Sequence, residues 1–396
     1  MVWLMSDPCT GAIYLDNAAT SFPKPECVYS AVDTYMRQMG VAFGRGSHTG
    51  TSDAARLVAQ CRQRLARILD AESGDRVAFT FNCTDGLNLL LRGVLRTGDR
   101  VVTTTLEHNS VLRPLQQLKS ELQLDVVHVD FDADSGLVNA EVFARELRSQ
   151  HTRLALLNHA SNVTGVVQPV RVISAAAHET GTLLMLDTAQ TVGHIPFSVR
   201  DLNIDLLASA GHKGLLGPLG TGIVYIRNGL EDELLPARCG GTGTDSESLV
   251  QPAVMPTRFE SGNLNMPGLA GLNAAAEWIL QQSVDGLHSR ISQLSTRLSD
   301  SLRGIPGVTV FGGADVQNVG IVSFTLDGMD SQDVAAVLDQ SFQIRCRAGL
   351  HCAPLVHRRL GTISAGGTVR LSPGPLTNQA DVDTATEAVT QLAASL

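Results

Sequence analysis

The stretch Ala210-Gly211-His212-Lys213-Gly214-Leu215-Leu216-Gly217-Pro218 stands between two apolar runs, Ile204-Asp205-Leu206-Leu207-Ala208 before it and Gly222-Ile223-Val224-Tyr225-Ile226 after it. Runs of that kind lead into and out of a strand edge, so Lys213 falls in a glycine-rich turn there. Small neighbours let a bulky group approach the backbone, and partial loss of water lowers an amine's pKa and makes it nucleophilic. Taken alone, a surface lysine in a turn reads the same way. The rest of the chain has to decide.

Upstream, short apolar runs alternate with amphipathic stretches. Val77-Ala78-Phe79, Val101-Val102-Thr103, Asp125 to Val129, Leu154 to Leu157 and Leu183 to Leu186 read as strands. Between them, Asp85 to Leu95, Ser110 to Leu122, Asn139 to Ser149 and Val172 to Glu179 read as helices. That rhythm predicts an α/β fold with a mainly parallel, doubly wound sheet, which binds ligands beyond the carboxyl ends of its strands.

After Pro267 the pattern changes. Two long helical stretches, Leu269 to Leu280 and Leu287 to Leu302, lead into strands at 307–310, 320–324 and 368–371. Helices are expected over Ser331 to Leu338 and Asp381 to Leu396. This predicts a smaller α+β domain made of residues 1–24 and 265–396, a large domain over 25–264, and a hinge near Glu260 to Gly268.

Composition narrows the function. The chain has 396 residues, 43% of them hydrophobic and 17% charged, enough for a large core. Its net charge is -9 and its basic residues are scattered, which argues against nucleic acid or an anionic membrane as partner. No apolar stretch reaches the roughly 18 residues of a membrane span, and Met1 to Thr10 is too short and irregular for a signal peptide. The seven cysteines (Cys9, Cys27, Cys61, Cys83, Cys239, Cys346 and Cys352) are odd in number, spread out and free of C-x-x-C spacing. That pattern favours neither disulfides nor a metal site and predicts a reducing cytoplasm.

Four features fall at expected strand ends. Asn82-Cys83-Thr84-Asp85-Gly86 joins a strand to a helix, where free N–H groups and the Thr84 hydroxyl suit an anion. Plain helix capping explains the same residues. His108 follows the next strand, as a flat partner for an aromatic ligand or as a satisfied loop histidine. Asp187 ends the apolar strand Leu183 to Leu186, where an ionised carboxylate is costly without a cation, although it reads equally as a helix cap. Lys213 is the fourth. As a set they suit pyridoxal 5'-phosphate (PLP): an amine for the Schiff base, a carboxylate for the ring nitrogen, amides for the phosphate.

Tyr14-Leu15-Asp16-Asn17-Ala18-Ala19-Thr20, His159-Ala160-Ser161-Asn162-Val163-Thr164-Gly165, Asp187-Thr188-Ala189-Gln190, Gly211-His212-Lys213 and Arg347-Ala348-Gly349-Leu350-His351-Cys352-Ala353-Pro354 occur in this order across nearly the whole chain. In them the chain resembles the class V aminotransferases (PLP fold type I, aspartate-aminotransferase-like), and among these the cysteine desulfurase and selenocysteine lyase branch. The resemblance implies a homodimer with PLP on Lys213, His108 stacked on the ring, Asp187 at the ring nitrogen and Gln190 at the ring hydroxyl. Cys83, Thr84 and His212 would hold the phosphate, the first through its backbone. Asn162 and Arg370 would bind the substrate carboxylate, and Arg347 would be a further substrate-binding residue. Cys352 would be the nucleophile that takes sulfur from L-cysteine as a persulfide and passes it to an acceptor, with alanine released. Arg347 and His351 are expected to favour its thiolate.

Two positions depart from that pattern. Ala210 stands where the family has Ser or Thr, removing a phosphate hydroxyl. Ser209 points to the other side of an extended strand and does not replace it. Asn263, in Phe259-Glu260-Ser261-Gly262-Asn263, stands where a Thr reaches the phosphate of the neighbouring subunit. Another class V activity (selenocysteine lyase, cysteine or cystine lyase, or aminotransferase) is the alternative, and a non-catalytic sulfur-carrier protein of the same fold is a third reading. Lys213, Asp187, His108 and Arg370, all present, speak against the last.

Overall fold

The computed structural model describes residues 11–44, 49–244 and 247–396, so Cys9 and the first ten residues of the expected small domain lie outside the described residues. The chain opens with β1 (Ile13–Tyr14), α1 (Glu26–Thr34) and α2 (Thr49–Leu69). There follow β2 (Val77–Thr80), α3 (Cys83–Val94), β3 (Arg100–Thr104), α4 (Asn109–Leu122), β4 (Asp125–Val129) and α5 (Ala140–Ser149). Next come β5 (Leu154–Asn158), α6 (Val170–Glu179), β6 (Leu183–Asp187), β7 (Leu206–Ala210) and β8 (Gly222–Ile226).

Strands β2 to β8 form one sheet in the order β2-β8-β7-β6-β5-β3-β4. From β7 across to β4 every neighbour is parallel. Strands buried on both faces read as apolar runs, which is why β5, β6 and β7 were visible in the sequence. β8 runs antiparallel to both β7 and β2. The short connection from Gly211 to Thr221 has no helix to carry a parallel crossover, so the chain turns back beside β7.

Helix starts explain where the ligand end of the sheet lies. The Asn82 side chain accepts from Asp85 N–H at 2.9 Å, so α3 begins at Cys83, two residues before the apolar pattern suggests. His108 caps α4 through its ring, Nδ1 accepting from Ser110 N–H at 3.0 Å. Both caps sit directly after strands of the large sheet.

The remaining elements are α7 (Met266–Gln282), α8 (Val284–Arg303), β9 (Val308–Phe311), β10 (Val322–Leu326), α9 (Ser331–Phe342), β11 (Ile344–Arg345), β12 (Arg347–Gly349), α10 (Pro354–Leu360), β13 (Thr368–Leu371) and α11 (Gln379–Ala393). An antiparallel sheet β12-β13-β10-β9 forms their centre. β1 pairs with β11, which carries the N-terminal segment onto this second unit. Helix α7 follows the expected hinge but buries Met266, Leu269, Leu272, Ala275 and Ile279 in the core of the large sheet. No helix among the described residues is long and apolar enough to cross a membrane.

Two buried carboxylates lock the frame. Glu260, in the hinge, forms a bidentate pair with Arg62 (2.7 and 2.6 Å) and accepts from Phe79 N–H at 2.6 Å, so neither buried charge is left alone. Glu107 is fully buried, and its Oε1 accepts from Thr104 Oγ1 at 2.7 Å and Asn158 N–H at 3.1 Å. It thereby ties the end of β3 to the end of β5. Its Oε2 has no partner among the described residues, and burial pushes the carboxyl up to about 8. The folded state therefore holds this proton more tightly than the unfolded chain. The stabilisation is complete below the ordinary glutamate pKa and is lost as pH rises through about 8. Glu107→Gln, which mimics the protonated acid, is expected to melt with wild type near about pH 5 and several degrees above it near about pH 9. Equal melting temperatures at both values, followed by calorimetry, contradict this assignment.

Candidate active site

The cleft is lined by Asn82, Cys83, Thr84, His108, Ser110, Asn158, Asn162, Asp187, Ala189, Gln190, Ala210, His212 and Lys213. Strand register explains the gathering: Asn158 on β5 pairs with Asp187 on β6, and Asp187 with Ala208 on β7, so neighbouring strand ends face one basin.

Lys213 sits in the turn after β7. Gly211 and Gly214 are required here, but by the protein itself and not by a ligand. A Cβ on Gly211 would lie 2.2 Å from Thr221 Oγ1, and one on Gly214 would lie 2.3 Å from the Val192 carbonyl. The glycines let the chain cross itself closely, which corrects the reading from sequence. Burial first, then the Arg370 guanidinium, push the Lys213 amine below the usual lysine range. Asp187 Oδ1 accepts from Ala189 N–H at 2.9 Å and from the Cys83 thiol at 3.4 Å. Burial, the largest influence, pushes this carboxyl up. It is a buried acid short of a cation.

Cys83 thus aims its side chain at Asp187, while its N–H and that of Thr84 are among the orphan donors at the start of α3. The His212 ring lines the same cleft with Nδ1 buried and unpartnered among the described residues, and burial lowers its pKa to about 4. Gln190 donates to the Ala18 carbonyl at 3.2 Å. His108 is held neutral, its pKa lowered to about 4 by burial and then by Lys213, Arg347 and Arg370. Because Nδ1 receives the Ser110 N–H, the ring proton resides on Nε2.

A second group comes from the smaller unit. Arg370 on β13 is 1% exposed; it donates to Asp16 Oδ1 at 2.9 Å and to the Asn162 carbonyl at 3.1 Å. Its Nε and the Asn162 Oδ1 are both buried without partners among the described residues. Arg347 Nη2 lies 3.7 Å from Cys352 Sγ, and Cys352 is exposed. The loop bearing Cys352 is pinned to the large sheet at two consecutive carbonyls. His351 O accepts from Asn162 Nδ2 at 2.7 Å, and Cys352 O accepts from Asn109 N–H at 2.7 Å. Those bonds hold His351 and Cys352 in left-handed backbone at φ 47° and 57°, a conformation unfavourable to side chains.

His351 does not play the part expected of it. It is buried, its Nε2–H donates to the Thr368 carbonyl at 3.0 Å, and burial above all pushes its pKa down to about 2. A neutral ring brings no positive charge to Cys352, so of the two expected neighbours only Arg347 does. Asn263 is exposed and lies in a separate hollow with Phe81, Gly220 and Arg238, away from the cleft of its own chain. Ser209 Oγ donates to the Thr188 carbonyl at 3.1 Å and leaves the Ala210 position without a hydroxyl. Sequence reasoning missed Ser110 and Asp16. Ser110 is two residues past His108, in the first helical turn, and Asp16 lies inside the quoted Tyr14 to Thr20 motif.

This donor set fits PLP. An amine of lowered pKa, a buried carboxylate wanting a cation, an orphan imidazole nitrogen and free helix N–H groups match an aldehyde, a pyridinium and a phosphate in turn.

Comparison with known proteins agrees. The model of the family described as "Aminotransferase class-V" matches residues 13–384. A probable cysteine desulfurase of Methanothermobacter thermautotrophicus is 35% identical over 91% of this chain and 89% of its own length. A probable cysteine desulfurase of Pyrococcus abyssi is 34% identical over 97% and 95%. Among solved structures, the apo cysteine desulfurase of Thermococcus onnurineus NA1 superposes with a TM-score of 0.91 at 31% identity, covering 98% of this chain and 96% of that one. The cysteine desulfurase CsdA of Escherichia coli gives 0.87 at 27% identity, covering 97% and 95%. The chain belongs to the class V aminotransferase family, whose members imply PLP as cofactor.

Proposed function

We propose that this chain is a PLP-dependent cysteine desulfurase, converting L-cysteine to L-alanine and leaving the sulfur as a persulfide on Cys352 for an acceptor. The observation that carries the reading is the docking of the Cys352 carbonyl on Asn109, next to His108, with Arg347 at 3.7 Å from Sγ. A thiol merely filling space would be buried, and this one is exposed, on a loop whose His351 carbonyl docks on the cleft-lining Asn162.

Bound PLP would supply the electron sink that makes the substrate's Cα proton and its Cβ–Sγ bond labile. Lys213, Asp187, Gln190, His212, Cys83 N–H and Thr84 are the residues that would hold it. Arg370 offers the substrate carboxylate its unmatched Nε–H, and Asn162 the second N–H of the amide whose first holds the His351 carbonyl. The lowered amine of Lys213 takes and returns the proton at Cα. The thiolate of Cys352, facing the Arg347 cation, attacks the substrate sulfur. One S–S bond forms, the Cβ–S bond breaks, and its electron pair stays with carbon, which is protonated and leaves as alanine. His108, neutral with its proton on Nε2, is the donor placed beside these reacting atoms.

A homodimer supports the site. Phe81, Leu219, Leu249, Val250 and Val254 are exposed apolar side chains near or beyond the hollow that holds Asn263, a surface suited to a second copy. In that assembly Asn263 would reach the partner's phosphate. The cysteine usage favours a cytoplasmic location.

Cys352→Ala is expected to keep the cofactor's absorbance while sulfide release from L-cysteine with a reductant falls by roughly a hundredfold or more. Sulfide at the wild-type rate, or pyruvate and ammonia in place of alanine, overturns the persulfide route and favours a lyase. Arg370→Lys, which keeps charge but loses the planar fork, is expected to raise KM for L-cysteine about tenfold, as steady-state alanine production will read. Light scattering of the loaded protein is expected to give the mass of two chains, and a single-chain mass removes the role given to Asn263.

A further inference from the structure

Among the described residues lining the cleft, only Thr84 and Ser110 bring hydroxyl groups. Their oxygens lie 2.7 Å apart, and Ser110 Oγ lies 2.8 Å from His108 Nδ1. Ser110 is buried, in the first turn of α4, while Thr84 stands at the start of α3. Ala210, also in the lining, offers only a methyl group, and the neighbouring Ser209 hydroxyl is committed to the Thr188 carbonyl.

We propose that Ser110 is a positioning residue of the phosphate cup, orienting the Thr84 hydroxyl toward the anion and taking over the part that position 210 leaves unfilled. The inference rests on the PLP reading and on no step of the cysteine chemistry. Proton accounting supports it. A phosphate accepts hydrogen bonds and offers none at neutral pH, so Thr84 must give it its single proton. At 2.7 Å the second bond in the pair then requires Ser110 to donate to Thr84. Ser110 can do so because His108 Nδ1 is already served by the Ser110 N–H at 3.0 Å. When no anion is present, Thr84 is free to donate to Ser110, and Ser110 to Nδ1. Occupation of the cup therefore reverses the direction of both hydroxyls with no proton gained or lost, and the Ser110 Oγ–His108 Nδ1 contact, 2.8 Å here, gives up its proton to Thr84 and must lengthen. Without Ser110, the Thr84 hydroxyl loses the neighbour that directs it outward, and the desolvated anion loses a charge-assisted bond of fixed aim.

The chemistry that reports this is the phosphate itself. The apo protein, titrated with PLP and separately with pyridoxal while the bound chromophore is followed by absorbance, separates grip on the phosphate from grip on the ring. Ser110→Ala and Ser110→Cys, the latter close in volume but a weak donor, are expected to weaken PLP binding about tenfold and pyridoxal binding less than about twofold. In a Thr84→Ala background, Ser110→Ala is expected to add almost nothing, because its action runs through Thr84. Adding Ala210→Ser to Ser110→Ala is expected to restore most of the PLP affinity. An equal loss for PLP and pyridoxal, or a full additional loss on top of Thr84→Ala, overturns the proposal, since Ser110 would then act by packing or alone. A wild-type chain that takes up no PLP overturns the cofactor reading and this inference with it. Loss of sulfide release with these binding ratios intact touches only the desulfurase reading.

Discussion

The hydrogen bond from Asn109 N–H to the Cys352 carbonyl, 2.7 Å long, makes one site of two folding units. The first N–H groups of a helix have no partner within it, and one of α4's is satisfied by the loop that carries the exposed thiol. The adjacent carbonyl is taken by Asn162, and the left-handed backbone at both residues persists because these two bonds over-determine it. Without them the strain would relax and Cys352 would have no fixed position against His108. The placement of the proposed nucleophile is thus a property of the large sheet, although the residue follows β12 of the second sheet.

Charge burial organises the rest. Lys213, Arg347, Arg370 and Arg113 all depress the His108 pKa, so four cations act on one neutral ring. Against them stand Asp187 and Asp16, the latter engaged with Arg370. Positive charge in excess over negative suits a ligand that brings a phosphate and a substrate that brings a carboxylate. The orphaned Arg370 Nε–H marks where the protein's own acceptors run out. Leaving such a donor unpaired in the interior costs free energy, and a site that must bind anions reversibly keeps that cost in hand.

Much of this was legible from the chain. Strands β5, β6 and β7 were visible because both of their faces are buried, and Asp187 and Lys213 stood out because each follows an apolar run where a charge is expensive. Other features were not. Helices α1 and α2 lie outside the alternating rhythm, so the reading that found the sheet passed over them. The reversal at β8 depends on how far the chain travels between strands, which hydrophobicity does not record. The role of His351 failed for a related reason: spacing put it beside Cys352, but burial decided its charge.

The glycines around Lys213 show the same limit from the other side. Their presence was read as room for a ligand, whereas Gly211 and Gly214 make room for Thr221 and Val192. A close crossing of the protein's own chain and a close approach of a cofactor leave the same mark in a sequence. They differ in where the remaining donors point. Here the ligand-facing donors come from α3 and from the helix-capping pair His108 and Ser110, which follow β2 and β3, strands consecutive in sequence but separated in the sheet by β8, β7, β6 and β5. Position 210 has no hydroxyl, and the two in the cleft, on Thr84 and Ser110, arrive from two helix starts; the proposed phosphate end of the site is assembled by the fold, not by the motif that contains the lysine.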